Sequence, residues 1–199
     1  MKEKTRKKIL EVASSLFAQY GFHKTSMDEI ARVARKAKGS LYYHFASKEE
    51  LFTEVVSQEF EKLKEELVKV VENDKLNPIE KTTTFLLRRN SILANSANYH
   101  ETLKADLYER FEFLDTLRKK HDEWEKAQME KILNEGIEKG YYRDMGDVKV
   151  ILDVFYMILK GLEIPFFIQN QYISLRPHLK GMVGIMLRGI AASPEKLPI

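Results

Sequence analysis

Apolar residues recur along this chain at intervals of three and four, the spacing of one face of an α-helix, and no stretch alternates as a half-buried strand would. Ile9, Val12, Ala13, Leu16, Phe17 and Tyr20 mark a first helix over about Lys2–Tyr20. Gly21 closes it, because glycine takes the left-handed conformation found just past many helix ends. Ser26 followed by Glu29 has the form of a capping box and opens a short helix carrying Met27, Ile30, Ala31 and Ala34. A second brief helix, about Lys38–Phe45, follows a basic turn. Ser47 with Glu50 is another capping box, opening a long helix from Lys48 to about Val71 whose stripe is Leu51, Phe52, Val55, Phe60, Leu63 and Leu67. Asn77-Pro78 reads as an N-cap with proline in the first turn. It predicts a helix over Pro78–Ala97, and the pattern continues with helices over His100–Leu114, Thr116–Lys139, Asp144–Gln171 and Ser174–Ala192. Pro165 removes one backbone donor inside the eighth and crowds the carbonyl of Gly161, so a kink is expected there, either shaping a cavity or serving packing alone.

The pattern is all-α, and two short helices joined by a tight turn have the form of a helix-turn-helix, whose second helix enters the major groove. Charge adds a direction. The net charge is +3, but residues 1–50 hold eleven Lys/Arg against six Asp/Glu, while the remainder holds 22 against 24. A basic lobe on a slightly acidic body suits a protein that meets polyphosphate at one end.

Composition narrows the chemistry. With no cysteine, disulfides and thiolate metal sites are excluded. The five histidines lack metal-ligand spacing, no glycine loop cradles a phosphate, and His121-Asp122-Glu123 is a charged triplet of the kind that faces solvent. Neither an enzyme nor a cofactor or metal is expected. The basic start runs into an amphipathic helix without an apolar signal core, so secretion is not expected. The most apolar span, Val148–Ile168, is interrupted by Lys149, Asp153, Lys160 and Glu163, too many charges for a lipid-facing helix.

The order Gly39-Ser40-Leu41-Tyr42-Tyr43-His44-Phe45, then Lys48 and Leu51, resembles the second half of the TetR-family DNA-binding domain. Ile9, Ala13, Leu16, Phe17, Gly21, Thr25, Ile30, Ala31 and Ala34 also fall where that family's pattern expects them, so the resemblance covers about fifty contiguous residues. It implies a three-helix DNA-binding head, residues 1–47, and a six-helix ligand-binding and dimerisation body, residues 48–199, with the fourth helix as connector. By the same resemblance Lys38, Gly39, Ser40 and Tyr42 face the bases, while Thr25, Ser26, Tyr43, His44 and Lys48 hold phosphates. Tyr42 and Tyr43 could also serve simple aromatic packing. Leu41 and Phe45 read as the core side of the recognition helix.

The chain departs from the family at the turn, where Arg35-Lys36-Ala37 replaces glycine, an apolar residue, then serine or threonine. If the usual geometry persists, Arg35 takes a left-handed conformation, and Ala37 cannot cap the recognition helix through a side-chain oxygen. Arg35 and Lys36 add phosphate attraction, so steep salt dependence is expected.

A single small head reads too few base pairs, so a homodimer on a palindromic duplex is expected, and the TetR resemblance implies that helices 8 and 9 join it. Leu175, Leu179, Met182, Val183, Met186, Leu187 and Ile190 give helix 9 a broad apolar face, and Gly181, Gly184 and Gly189 let a partner helix approach. Packing within one subunit is the other reading of that face. The family also implies a cavity for a small inducer, lipophilic or aromatic, with Phe85, Arg89, Tyr108, Phe111, Trp124, Gln128, Phe155 and Tyr156 as candidate contacts and Asn90 and His121 as further polar groups. The resulting expectation is a sequence-specific repressor released from DNA by ligand. The competing one is a helical scaffold whose basic end binds nucleic acid or acidic surfaces nonspecifically.

Overall fold

The computed structural model describes residues 2–108 and 111–193, apart from the side chains of Asp106 and Tyr108. Among the described residues the regular structure is nine α-helices: α1 Lys2–Tyr20, α2 Met27–Val33, α3 Lys38–His44, α4 Lys48–Val71, α5 Pro78–Leu93, α6 Ala97–Tyr108, α7 Asp115–Glu138, α8 Val148–Glu163 and α9 Tyr172–Ile190. A 3₁₀ turn, Glu112–Leu114, precedes α7, and a π-helical turn, Ile164–Ile168, follows α8.

Local signals start most of these helices. Asn77 Oδ1 accepts from the amides of Ile79 and Glu80, and Glu80 returns the favour by accepting from the Asn77 amide at 2.9 Å. The Ser47 hydroxyl accepts from the Glu50 amide at 3.1 Å, but the Glu50 carboxylate reaches back one residue further than a capping box prescribes, to the Ala46 amide at 2.6 Å. Asp147 caps α8, which begins at Val148 rather than at Asp144. The reason is a turn: Asp144 Oδ1 accepts from the Gly146 amide, and Gly146 takes φ +73°, outside the helical range. Pro165 ends the regular part of α8 at Glu163, and the Gln169 amide then donates to the Ile164 carbonyl in a five-residue π closure.

The fifth and sixth helices divide differently from their periodicity. α5 stops at Leu93, and α6 starts at Ala97 rather than His100. The start is set from a distance: the Glu59 carboxylate of α4 accepts from the backbone amides of Asn98 and Tyr99, at 3.2 and 2.8 Å. These are orphan donors of a first turn, satisfied by a residue 39–40 positions away.

The chain divides into two compact units, Met1–Glu61 with Ser96–Arg118, and Lys62–Asn95 with Lys119–Ile199. In the first, α1–α3 and the start of α4 bury Ile9, Ala13, Phe17, Ile30, Leu41 and Phe52 almost completely. Phe17 and Phe52 meet edge to face at 5.0 Å, and Phe22 joins them beside Phe111 at 4.9 Å. α6 is tied in by polar bonds. Asn98 Nδ2 donates to Ser14 Oγ at 3.1 Å, and Glu101 accepts from the Phe22 amide at 3.1 Å, beside Gly21 at φ +85°.

In the second unit Leu63, Leu67, Ile79, Phe85, Met129 and Ile132 form the core. Tyr142, in the loop between α7 and α8, is threaded into it. Its hydroxyl donates to the Pro78 carbonyl at 2.9 Å and shares a 2.8 Å hydrogen bond with Thr82, and burial pushes the phenol up to about 12. Its ring lies so close to Gly136 that a Cβ there would sit 2.2 Å from a ring carbon. Gly136 is therefore a packing requirement within α7. The same loop holds the end of α9, through Arg143 N to the Ile190 carbonyl and Ala192 N to the Tyr141 carbonyl, each 2.9 Å.

Candidate functional site

The helix-turn-helix is closed by its backbone. Past α2 the Lys36 amide donates to the Ala31 carbonyl and the Arg35 amide to the Arg32 carbonyl, the paired bonds of a Schellman motif. Arg35 takes φ +54°, the left-handed conformation that glycine would adopt freely. Ala37 then starts α3 with extended backbone and no side-chain cap. The motif keeps its usual geometry at a cost of about 1–2 kcal/mol for a side chain in that conformation.

Along α3 the burial splits as its sequence suggests. Leu41 and Phe45 are buried, whereas Tyr42 and Tyr43 are 44% and 65% exposed. Lys38 and Gly39 are exposed, with Ser40, His44 and Lys36 half-buried beside them. Gly39 has no internal reason to lack a side chain, since a Cβ there would meet nothing within 4 Å. A helical glycine costs about 1 kcal/mol relative to alanine, so its use is to be sought outside the chain.

Neighbours shape the electrostatics of this face. Lys38 pairs with Asp28 at 2.8 Å, and that hydrogen bond raises its pKa above the usual lysine value. Lys38 also lies 6.0 Å from the Tyr42 ring centroid. Ser26 is exposed, its hydroxyl accepting from the Glu29 amide. Two of the residues expected at phosphates have their side-chain donors engaged inside the head. Thr25 is buried and donates to the Gly21 carbonyl at 2.9 Å, and Lys48 donates to the Phe22 carbonyl at 3.0 Å while lying over the Phe22 ring. A cation missed by sequence reasoning arrives from α1, where Lys2 Nζ donates to the Tyr43 hydroxyl at 2.6 Å.

The second unit encloses a polar cluster. Arg89 of α5 donates from Nε to Glu125 Oε1 at 2.6 Å and from Nη2 to Glu163 Oε1 at 2.7 Å, all three side chains being nearly inaccessible. His121 Nε2 lies 3.8 Å from Glu125 Oε2, and Lys160 bridges Asp122 at 2.8 Å and Glu163 at 3.7 Å. Burial pushes the Glu125 carboxyl up, and burial together with the charges of Lys160, Arg89 and Lys64 pushes His121 down to about 2. Among the described residues the buried Tyr156 hydroxyl and Glu125 Oε2 have no hydrogen-bond partner. Trp124 stacks against His121 at 6.3 Å. Of the expected ligand contacts, Arg89, Trp124 and Tyr156 therefore gather here with His121. Glu125 and Glu163 escaped sequence reasoning; Glu163 was visible only as a charge interrupting an apolar span.

The remaining candidates are dispersed. Phe85 is in the core, and Gln128 is buried, accepting from Lys131 at 3.3 Å. Asn90 donates to the Leu86 carbonyl one turn earlier. Phe155 lines an apolar cavity of about 110 Å³ with Leu86, Met129, Leu133, Leu152 and Leu187. Phe111 belongs to the aromatic cluster of the first unit, and the Tyr108 side chain lies outside the described residues.

α8 and α9 present apolar groups to solvent. Val150, Val154, Met157 and Ile158 on α8, with Ile173, Met182, Ile185 and Met186 on α9, are 45–82% exposed. The broad apolar face of helix 9 is thus two faces: Leu179, Val183 and Leu187 pack inward, while Met182 and Met186 stay outside. Gly181, Gly184 and Gly189 border open space. Among the described residues no helix is long and apolar enough to cross a membrane.

Comparison with known proteins agrees with this geometry. The family model for bacterial regulatory proteins, tetR family, matches residues 9–55. The HTH-type transcriptional repressor KstR2 of Mycobacterium tuberculosis is 30% identical over 151 residues, 73% of each chain. The fold matches SmeT of Stenotrophomonas maltophilia, solved with triclosan, at a TM-score of 0.76 and 18% identity over 98% of this chain and 95% of that one. It also matches FadR from Bacillus subtilis, solved with stearoyl-CoA, at 0.71 and 18% identity over 88% and 96%. The head motif and a relationship spanning most of the chain lead to one assignment: the protein belongs to the TetR family of bacterial regulatory proteins, a family of DNA-binding transcriptional regulators rather than of enzymes.

Proposed function

We propose that this protein is a homodimeric repressor that binds a palindromic operator through α3 and releases it when a small lipophilic ligand, aromatic or acyl-chain in type, enters the body. The observation that carries the DNA reading is the solvent face of α3. It joins Lys38, Ser40 and Tyr42 to a glycine that the fold itself does not need. Short side chains and bare backbone are what base edges admit, while the flanking Tyr43, His44, Ser26 and Lys36 suit phosphates. On this reading residues 1–47 read DNA, and 48–199 bind ligand and dimerise through the exposed apolar strip of α8 and α9.

The ligand class is supported by the apolar cavity lined by Phe155 and by the ligands in the SmeT and FadR structures. A cavity of about 110 Å³ is smaller than the ~150 Å³ void that holds one benzene. A larger guest must widen it, and the difference in binding between narrow and wide forms is the free energy that moves the body.

Selection of bound sequences from a random duplex library tests the reading. A palindromic consensus, with release on adding stearoyl-CoA or triclosan as probes, is the expected result. Salt-sensitive binding with no consensus would favour the nonspecific scaffold, and a consensus whose affinity neither probe alters would reject the ligand class.

A further inference from the structure

The first turns of α1 lie outside the helix-turn-helix, yet two of their cations reach α3 and the residue that ends it. Arg6 lies 5.1 Å from the Phe45 ring centroid and pairs with Glu54 at 3.2 Å. Lys2, about one turn earlier, donates to the Tyr43 hydroxyl at 2.6 Å, its Nζ 5.1 Å from the ring centroid. The face of α1 that buries Ile9 and Ala13 thus continues, beyond the core, as a cationic edge against α3.

The cations near α3 are not equivalent. Arg6 is neutralised by Glu54 and Lys38 by Asp28. Among the described residues no carboxylate pairs with Lys2. An ammonium carries three N–H donors, of which Tyr43 takes one, and the tyrosine hydroxyl, as acceptor here, keeps its own proton to give. Both side chains are exposed, so these donors face solvent together. A cation beside a hydroxyl, with no internal anion, is matched by the oxygens of a phosphodiester.

We infer that Lys2 and Tyr43 form a composite phosphate site for duplex DNA, in which Lys2 neutralises one backbone phosphate and fixes the tyrosine ring beside it. The site adjoins the face already proposed for DNA and rests on that reading. Its contribution is register: a phosphate contact made from α1 sets how the seven-residue α3 lies in the groove, without reading sequence itself.

The test measures affinity against salt for the wild type and for Lys2→Gln, Lys2→Arg, Tyr43→Phe and Lys8→Gln. The two probes are the duplex selected from the library and a fixed duplex of random sequence. Lys8 pairs with Glu11 on another face of α1 and controls for net charge. Lys2→Gln is expected to flatten the slope of log K against log salt by about 0.9 per protomer on both duplexes. Lys2→Arg keeps the slope, Lys8→Gln leaves it as in the wild type, and Tyr43→Phe weakens binding severalfold. A wild-type slope in Lys2→Gln, or an equal loss in Lys8→Gln, overturns this site even where a consensus has been selected. Absence of a consensus overturns operator reading instead, and the random duplex then still decides the phosphate site. Lys2 and Tyr43 are exposed, and a thermal melt of each variant confirms that the fold is retained.

Discussion

In the first unit the cations near α3 stand beside partners that neutralise, position or leave them open, while in the second an arginine, two glutamates and a histidine are sealed away from water. Lys38 loses little by leaving Asp28, because solvent takes over. Arg89 has no such alternative. Removing it strands Glu125 where it cannot be hydrated and leaves Glu163 only its 3.7 Å pairing with Lys160. The same residue types therefore serve a surface that exchanges partners in one unit and a set of fixed pairings in the other.

The largest effect that would test this contrast is Arg89→Ala, expected to cost about 3–5 kcal/mol in urea unfolding. Joint replacement of Arg89, Glu125 and Glu163 by Met should recover most of that, since a well-packed apolar trio bears no desolvation penalty. If Arg89→Ala costs no more than Lys38→Ala, the contrast is wrong. Gly136→Ala comes next: overpacking against the Tyr142 ring predicts a loss of about 1–3 kcal/mol, read as a lowered melting temperature.

Acid sharpens the comparison. His121 is held neutral in the fold, down to about 2, so below its ordinary value of 6.5 the unfolded chain binds a proton that the folded chain does not. Stability therefore falls as pH drops from 6.5, by up to about 1.4 kcal/mol per pH unit from this group. Glu125, raised by burial, opposes it, because the folded state holds that proton above 4.5. His121→Gln should flatten the acid limb of a pH series of unfolding midpoints. Smallest is Ala37→Ser in the head, which supplies the missing cap of α3 and should add about 1 kcal/mol without changing the midpoint's pH dependence.

What could be read beforehand follows the same division. Asn77, Ser26 and Gly21 act on amides and carbonyls a few residues away, so their helix ends were legible. Arg35 was legible only on the condition that the turn kept the family's geometry, because arginine itself carries no signal for a left-handed conformation. The alternation of buried Leu41 and Phe45 with exposed Tyr42 and Tyr43 is likewise a local pattern. The start of α6 was not legible, since Glu59 reaches it from another helix. Neither was the Lys2–Tyr43 bond, whose partners are 41 residues apart, nor the choice of Glu125 and Glu163 by Arg89, which only the packing of α5, α7 and α8 decides. Phe111 had the composition of a ligand contact, but its neighbours are Phe22 and Phe52.

The bonds that α6 makes within the first unit bear on how such regulators can be recombined. A graft carrying only Lys2–Ser47 onto a foreign body would leave behind Asn98, Glu101 and Phe111, and with them the partners of the Ser14 hydroxyl, the Phe22 amide and the Phe22 ring. The transplantable cassette is split, two stretches of chain separated by 34 residues that belong elsewhere. Chimeras built at the obvious seam after Ser47 should be fragile, and those that exchange Lys2–Glu61 together with Ser96–Arg118 should survive.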